Sequence, residues 1–157
     1  MRHASLGFSG KPIDYTDAII TNGESFWPDL NLAEFQRQRS LPVNIPPDTA
    51  IIAVLTTIAE INADLVDVVT GHQAKGYITA LEVPGSKAGD ENQLTAQYKK
   101  AVYARAKADL MGEFQTIGRR DTLPGEEGQD TRESLLAEAA LVIRNMKGFG
   151  RVGVYQA

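Results

Sequence analysis

The sequence lacks cysteine and has little histidine, and both shortages narrow the chemistry open to it. Without cysteine there is no disulfide, no thiolate metal site and no cysteine nucleophile. Only His3 and His72 could serve a histidine metal site or histidine acid–base catalysis. The composition therefore favours a protein that is not an enzyme, and it predicts no cofactor and no bound metal.

Positive charge and long apolar runs are also scarce. The 16 Lys and Arg residues face 20 Asp and Glu residues, and the net charge of -4 argues against a broad nucleic-acid-binding face. No window approaches the ~18–20 unbroken apolar residues of a membrane span, and the N-terminus lacks the apolar run of a signal peptide. The 157 residues suit one domain. We expect a protein of the cytoplasm, or of a particle assembled there, with no membrane partner.

Three segments differ in composition. Residues 1–28 contain scattered glycine and proline, which predicts an extended N-terminal arm. Residues 29–148 carry the helical patterns of a bundle domain, and residues 149–157 alternate like a single strand. Apolar pairs in the arm and alternating valines in the tail are typical of segments that dock on a partner chain. Together with one polar core position, the candidate partner-contact residues are Ile19, Ile20, Phe26, Trp27, Asn62, Arg151, Val152, Val154 and Tyr155.

Helix signals dominate the middle of the chain. Asn31 followed by Glu34 predicts a capped short helix that ends near Ser40. A longer helix is expected from Pro47 to Gly71, because this run contains no other glycine or proline after the start. Its apolar positions cover about half of the circumference, wider than the ~100° stripe of a helix packed on one side. We therefore expect two sides of it to be covered. These positions are Ile51, Ile52, Val54, Leu55, Ile58, Ala59, Ile61, Leu65, Val66, Val68 and Val69.

Two more helices follow. One is expected from Asn92 to Phe114, with two buried seams and many alanines that permit close packing. The last is expected to begin with Asp130 as its N-cap and to end at Gly148. The connection before them contains a strand-like piece at residues 77–79. The fold class is mainly α: a small antiparallel bundle of three longer helices and one short helix, with an extended arm and a strand-like tail.

Several polar groups allow two interpretations. Asn62 lies inside an apolar arc, either as a core amide bonded to a loop or as a register-fixing group at a helix interface. Glu60, Asp64 and Asp67 are typical of a solvated helix face rather than of a metal site. Arg105 and Asp109 are spaced as an i,i+4 pair.

A literal G-x-G-x-x-G occupies residues 148–153. It lacks the preceding strand and following helix that a dinucleotide site requires. The pattern therefore does not predict a dinucleotide site.

Short motifs in a fixed order resemble a known family. They are Phe26-Trp27-Pro28-Asp29 before the short helix, Asn62-Ala63-Asp64-Leu65 in the first long helix, and Tyr98 followed by Ala101-Val102 in the second. Their succession over about residues 19–157 is similar to the GPL-type phage head completion/stabilisation proteins of contractile-tailed temperate phages.

The resemblance implies a structural virion protein. Such proteins join the head after DNA packaging, stabilise the filled head and resemble adaptors that form a ring below the portal. It implies copies of the same chain in a ring of about twelve, the portal protein, a tail-completion or tail-terminator protein, and DNA that passes without specific binding. The expected location is the neck of the virion, with host cytoplasm during assembly. The alternative is a cytoplasmic helical regulatory or binding module that acts as a homo-oligomer.

Overall fold

The computed structural model describes residue 15, residues 17–111 and residues 131–148. Within these residues the chain is mainly helical, which confirms the predicted fold class at that level. The antiparallel arrangement, the arm and the tail stay predictions. The α-helices are α1 Leu32–Gln38, α2 Pro47–Asp64, α3 Val66–Ala74, α4 Gln93–Asp109 and α5 Arg132–Met146.

Short strands and one 3₁₀ turn connect the helices. Strand β1, Ile19–Ile20, pairs antiparallel with β2, Leu30–Asn31. Strand β3, Lys87–Ala88, forms a tight hairpin with β4, Glu91–Asn92. The strand-like piece expected at residues 77–79 is not a strand; it precedes the 3₁₀ helix Ala80–Glu82. The hairpin turn contains Gly89 at a φ of 59°, a conformation that glycine adopts without steric cost.

Side-chain caps start the helices much as the sequence indicates. The Asn31 side chain accepts a hydrogen bond from the backbone N–H of Glu34, which confirms the first cap. Asn92 caps α4 in a reciprocal box with Thr95. The N-cap of α5 is Thr131, which exchanges hydrogen bonds with Ser134, and not Asp130 as predicted. Thr131 and Ser134 can satisfy each other reciprocally, so the cap lies one residue later.

The long helix expected from Pro47 to Gly71 is two helices. It breaks at Leu65, where α2 and α3 meet at a bend of 58°. Since Leu65 is fully buried and Val68 and Val69 are buried beyond it, the bend keeps the apolar side of α3 on the core. No glycine or proline marks the break, so tertiary packing decides it. Among the described helices none alone is long and apolar enough to cross a membrane; α2 and α3 meet that length and composition only together, across the bend.

Helix α4 occupies the centre of the fold. It packs against α2 on one side and α5 on another, which confirms the prediction of two buried seams. Ala104 and Ala108 face Leu135 and Ala139 of α5 in a small separate cluster. These small side chains let the two helix backbones approach closely. The main core lies between α1, α2 and α4, includes Phe35, Val54, Ile61 and Val102, and is completed by residues of the segment before α1, of α3 and of α5.

Helix α1 ends in a Schellman motif that uses serine where glycine is usual. The N–H of Ser40 donates to the carbonyl of Arg37, and the N–H of Leu41 donates to the carbonyl of Gln36. Ser40 has a φ of 52°, which is costly for a residue with a Cβ. Helices α3 and α5 end with Gly76 and Gly148 at positive φ.

Candidate functional site

The segment before α1 belongs to the core of the same chain. Phe26, Trp27 and Ile20 are almost fully buried. Trp27 stacks on Tyr98 of α4 with ring centroids 4.5 Å apart, and Phe26 stacks on His72 of α3. The prediction that these apolar side chains dock on a partner is therefore corrected, because their surface is already used inside the chain.

The other predicted contact residues have different positions. Ile19 is 68% exposed and stays available to a partner. Asn62 is half-buried and engaged within the chain. Arg151, Val152, Val154 and Tyr155 lie outside the described residues.

A closed ring of three side-chain hydrogen bonds holds the N-terminal segment to two helices. Asn22 donates to the Tyr98 hydroxyl at 2.9 Å, and that hydroxyl donates to Asn62 Oδ1 at 2.7 Å. Asn62 Nδ2 completes the ring by donating to Asn22 Oδ1 at 3.0 Å. Asn62 thus bonds a loop side chain and also joins α2 to α4, so it combines features of both interpretations. Burial raises the pKa of Tyr98, which therefore stays protonated and can donate.

Asn22 was not singled out by the sequence reasoning. Besides the ring, its Nδ2 donates to the carbonyl of Pro28, and its backbone N–H donates to Asp29. The only local signal is Asn22-Gly23, a dipeptide typical of turns. The partners come from distant parts of the chain, so this signal could not reveal them.

A partly buried charge cluster joins α1 to α4. Lys99 forms ion pairs with Glu34 and Glu91, and Tyr103 donates to Glu34 Oε1 at 2.6 Å. Burial alone lowers the pKa of Lys99, but its hydrogen bonds to the two carboxylates outweigh that effect and raise it. Burial and the bond to Glu34 raise the pKa of Tyr103. Every group here is satisfied by a neighbour, which is typical of a structural cluster.

One ion pair fastens the last helix to the first. The Arg39 guanidinium binds the Glu138 carboxylate through two hydrogen bonds of 2.6 and 3.2 Å. Lys107 of α4 also donates to the backbone carbonyl of Arg39 at 2.8 Å. These contacts bring the end of α1 against α4 and α5.

An apolar stripe runs along the outward side of α2. Ile52 is 61% exposed and Leu55 is 48% exposed, although both belong to the apolar arc of the sequence. Ala59 and Ala63 follow on the same side and are also exposed. We call these four residues the α2 stripe. The core covers one half of the predicted arc and leaves this half open. The sequence feature that indicated this exposed surface was the width of the apolar arc of α2.

Acidic residues flank the α2 stripe. Arg105 of α4 lies 3.7 Å from Glu60 and 3.9 Å from Asp64, and not against Asp109 as its i,i+4 spacing suggested. Arg105 pairs with the two carboxylates of α2 because α2 packs directly beside that face of α4. Both carboxylates remain about half exposed, in agreement with a solvated face.

Helix α5 has its own outward apolar patch. Leu141 is 57% exposed, and Ala137 and Ala140 beside it are exposed as well. We call these three residues the α5 patch. Arg144, half-buried, lies one turn after Leu141 at the edge of the patch.

The described residues offer little for catalysis. They contain no group of three or more His, Asp or Glu side chains that could hold a metal ion. His72 Nδ1 is buried without a hydrogen-bond partner in the described part of the chain, and burial, aided by Lys75, lowers its pKa. His72 borders a cavity of about 300 Å³ that Asp67 and Lys147 also line. No serine, threonine or cysteine accompanies it among the lining residues.

Comparison with known proteins identifies the family. The sequence pattern of the phage head completion protein family (GPL) matches residues 20–156. The chain belongs to this family. It is also 38% identical over 148 residues to the probable head completion/stabilization protein of Haemophilus phage HP1 (strain HP1c1), which covers 94% of this chain and 98% of that protein. No solved structure matches.

Membership of the head completion family confirms the resemblance seen in the sequence. It gives the chain a structural role in the phage head and makes it a component of the virion. It also favours a role without catalysis. The family match begins at Ile20, and this agrees with the packing of Ile20, Phe26 and Trp27 into the core.

Proposed function

We propose that this head completion protein is an adaptor that joins the filled head below the portal. Copies of the chain form a ring there after DNA packaging, stabilise the filled head and present a surface for the tail. The α2 stripe carries this proposal, because exposed Ile52 and Leu55 form with Ala59 and Ala63 a contiguous apolar surface of the kind that binds another protein. Family membership supports the assignment to the phage head. The exposed α2 stripe supports a role that depends on contacts with other proteins.

The charge of the chain suits a position beside the DNA path. A net charge of -4 disfavours attraction to phosphate groups, so DNA can pass a ring of such subunits without being held. The segment from Ser40 to Ala74 contains four acidic residues and no lysine or arginine. We propose no base-specific contact and no cofactor.

The test is to determine the structure of the particle neck by electron cryomicroscopy, together with native mass spectrometry. A phage that lacks the gene is complemented with the wild-type chain, and the neck is examined in mature particles. The proposal expects a ring of this chain between portal and tail. Its presence elsewhere in the head, or only as a free oligomer in the cell, would contradict the adaptor role; the latter would favour a regulatory or binding module.

The C-terminal residues provide a second contact proposal. Residues 149–157 lie outside the described residues, and their alternation of Val152 and Val154 with Arg151 and Tyr155 supports addition of a strand to a neighbouring protein. A chain that ends at Gly148 should let heads package DNA but should reduce its retention or tail joining. Replacing Val152 and Val154 with threonine, which keeps strand propensity, is the matched control. Normal infectious yield from the shortened chain would exclude this contact.

A further inference from the structure

The α2 stripe and the α5 patch are both exposed and lie on helices that pack on different sides of α4. Each points away from the core, because the buried residues of its helix, such as Val54 and Ile61 in α2 or Leu135 and Ala139 in α5, lie on the opposite side. The two surfaces therefore cannot cover each other within one chain. A second copy can bring them together.

The charges around the two surfaces are complementary. The acidic groups near the α2 stripe are Glu60 and Asp64, which share the single cation Arg105 of α4, and α2 itself has no lysine or arginine. Packing α2 against α2 of another copy would bring these carboxylates together, which is unfavourable. The α5 patch has exposed Glu133 at its N-terminal end and Arg144 at its C-terminal end, and the structure shows no ion pair for Arg144 within the described residues. Attraction between Arg144 of one copy and the Glu60 and Asp64 carboxylates of the next thus favours a contact of α2 with the C-terminal end of α5.

The shapes agree with that choice. Ala59 and Ala63 in the stripe and Ala137 and Ala140 in the patch leave room for close approach of two helices. Leu55 and Leu141 supply the bulky side chains whose exposed parts such a contact would bury. Both surfaces are built on helices, so little order must be gained on binding.

We propose that the α2 stripe of one copy packs on the α5 patch of the next copy. This inference rests on the proposed adaptor function and names the surfaces that would join its subunits. The contact is heterologous, with different surfaces on the two partners. Repetition of a heterologous contact gives a closed ring when the rotation between neighbours closes. An isologous α2–α2 contact would stop at a dimer.

Disulfide cross-linking tests the contact directly, because the natural chain has no cysteine to interfere. The double variant Leu55→Cys/Leu141→Cys, the two single variants and the control pair Lys87→Cys/Leu141→Cys each complement a phage that lacks the gene. Purified particles are oxidised and run on a denaturing gel without reductant. Lys87 is exposed on the β3–β4 hairpin and outside both surfaces, so its pair controls for random collision.

The proposal expects a ladder of multimers from the Leu55→Cys/Leu141→Cys chain that reductant removes. Neither single variant nor the control pair should give more than a trace of dimer. Dimers from Leu55→Cys alone, or no ladder in particles that contain the normal amount of chain, would overturn the α2–α5 contact and leave the adaptor function standing. If the wild-type chain is absent from the neck of mature particles, both the α2–α5 contact and the adaptor function would be overturned.

Discussion

The Tyr98 hydroxyl donates a hydrogen bond of 2.7 Å to the side-chain carbonyl of Asn62. It also accepts from Asn22, so one phenol connects the central helix to α2 and to the N-terminal segment. Because the Tyr98 side chain is fully buried, water cannot replace either partner. The hydroxyl therefore matters more to the stability of the fold than an average surface hydrogen bond.

Tyr98→Phe should lower the free energy of unfolding by about 1–3 kcal/mol, since it leaves the amides of Asn22 and Asn62 short of a partner. Urea unfolding followed by circular dichroism measures the change. Tyr77→Phe is the matched control, because Tyr77 is half-exposed and the structure gives its hydroxyl no hydrogen bond within the described residues. Equal effects of the two variants would contradict the role of the ring of hydrogen bonds.

Ser40→Gly should stabilise the chain by roughly 0.5–1 kcal/mol. Glycine relieves the positive φ at the end of α1, and this gain exceeds the added backbone freedom of the unfolded chain. Thermal and urea unfolding measure the shift. The reverse change at the equivalent position of α5, Gly148→Ser, should destabilise by a similar amount. A destabilising Ser40→Gly would show that the serine side chain has a use that outweighs its strain.

The ion pair between Arg39 and Glu138 should hold α5 in place. Arg39→Gln should lower the free energy of unfolding by about 1 kcal/mol and increase hydrogen exchange in α5 more than in α2. Glu138→Gln should have a similar effect, and the double variant should cost less than the sum of the two. Arg132→Gln, at the exposed start of α5, is the control. Additive losses would show that the two side chains act independently.

His72 should make stability depend on pH. Its pKa is lowered in the folded chain from 6.5, so the unfolded chain binds the proton more readily. The contribution of His72 to the free energy of unfolding has its full value above pH 6.5. It falls as the pH drops below 6.5 and becomes constant again below the pKa of His72 in the folded chain. His72→Phe keeps a ring against Phe26 and should remove this part of the slope. Identical slopes for both chains between pH 5 and 7 would contradict it.

Local patterns predicted the helices well where a single segment decides the outcome. The cap at Asn31 and the glycine at the end of α5 depend on neighbouring residues only, and both are confirmed. The break at Leu65 was not predictable, because no residue near it interrupts a helix and the bend serves contacts made with other elements. The burial of Phe26 and Trp27 was missed for the same reason: their partners Tyr98 and His72 lie far along the chain.

The candidate surfaces were predictable only in part. The wide apolar arc of α2 indicated two covered sides, yet the wheel alone could not say which half the chain itself would cover. Val54, Ile58 and Ile61 are buried in the observed core, whereas Ile52 and Leu55 of the α2 stripe stay exposed. The ion pairs of Arg105 also depend on the fold. Arg105 pairs with Glu60 and Asp64 across a helix interface and not with Asp109 on its own helix.

The absence of lysine and arginine between Arg39 and Lys75 has a practical consequence for experiments on assembled particles. Trypsin cleaves after these two residue types, so the α2 stripe and all of α3 leave the digest as one peptide, residues 40–75. Arg39 closes α1 and Lys75 caps α3, so both cut sites lie at helix ends. Chemical labelling of the carboxylates beside the α2 stripe in assembled particles can thus be followed by mass spectrometry on this one peptide.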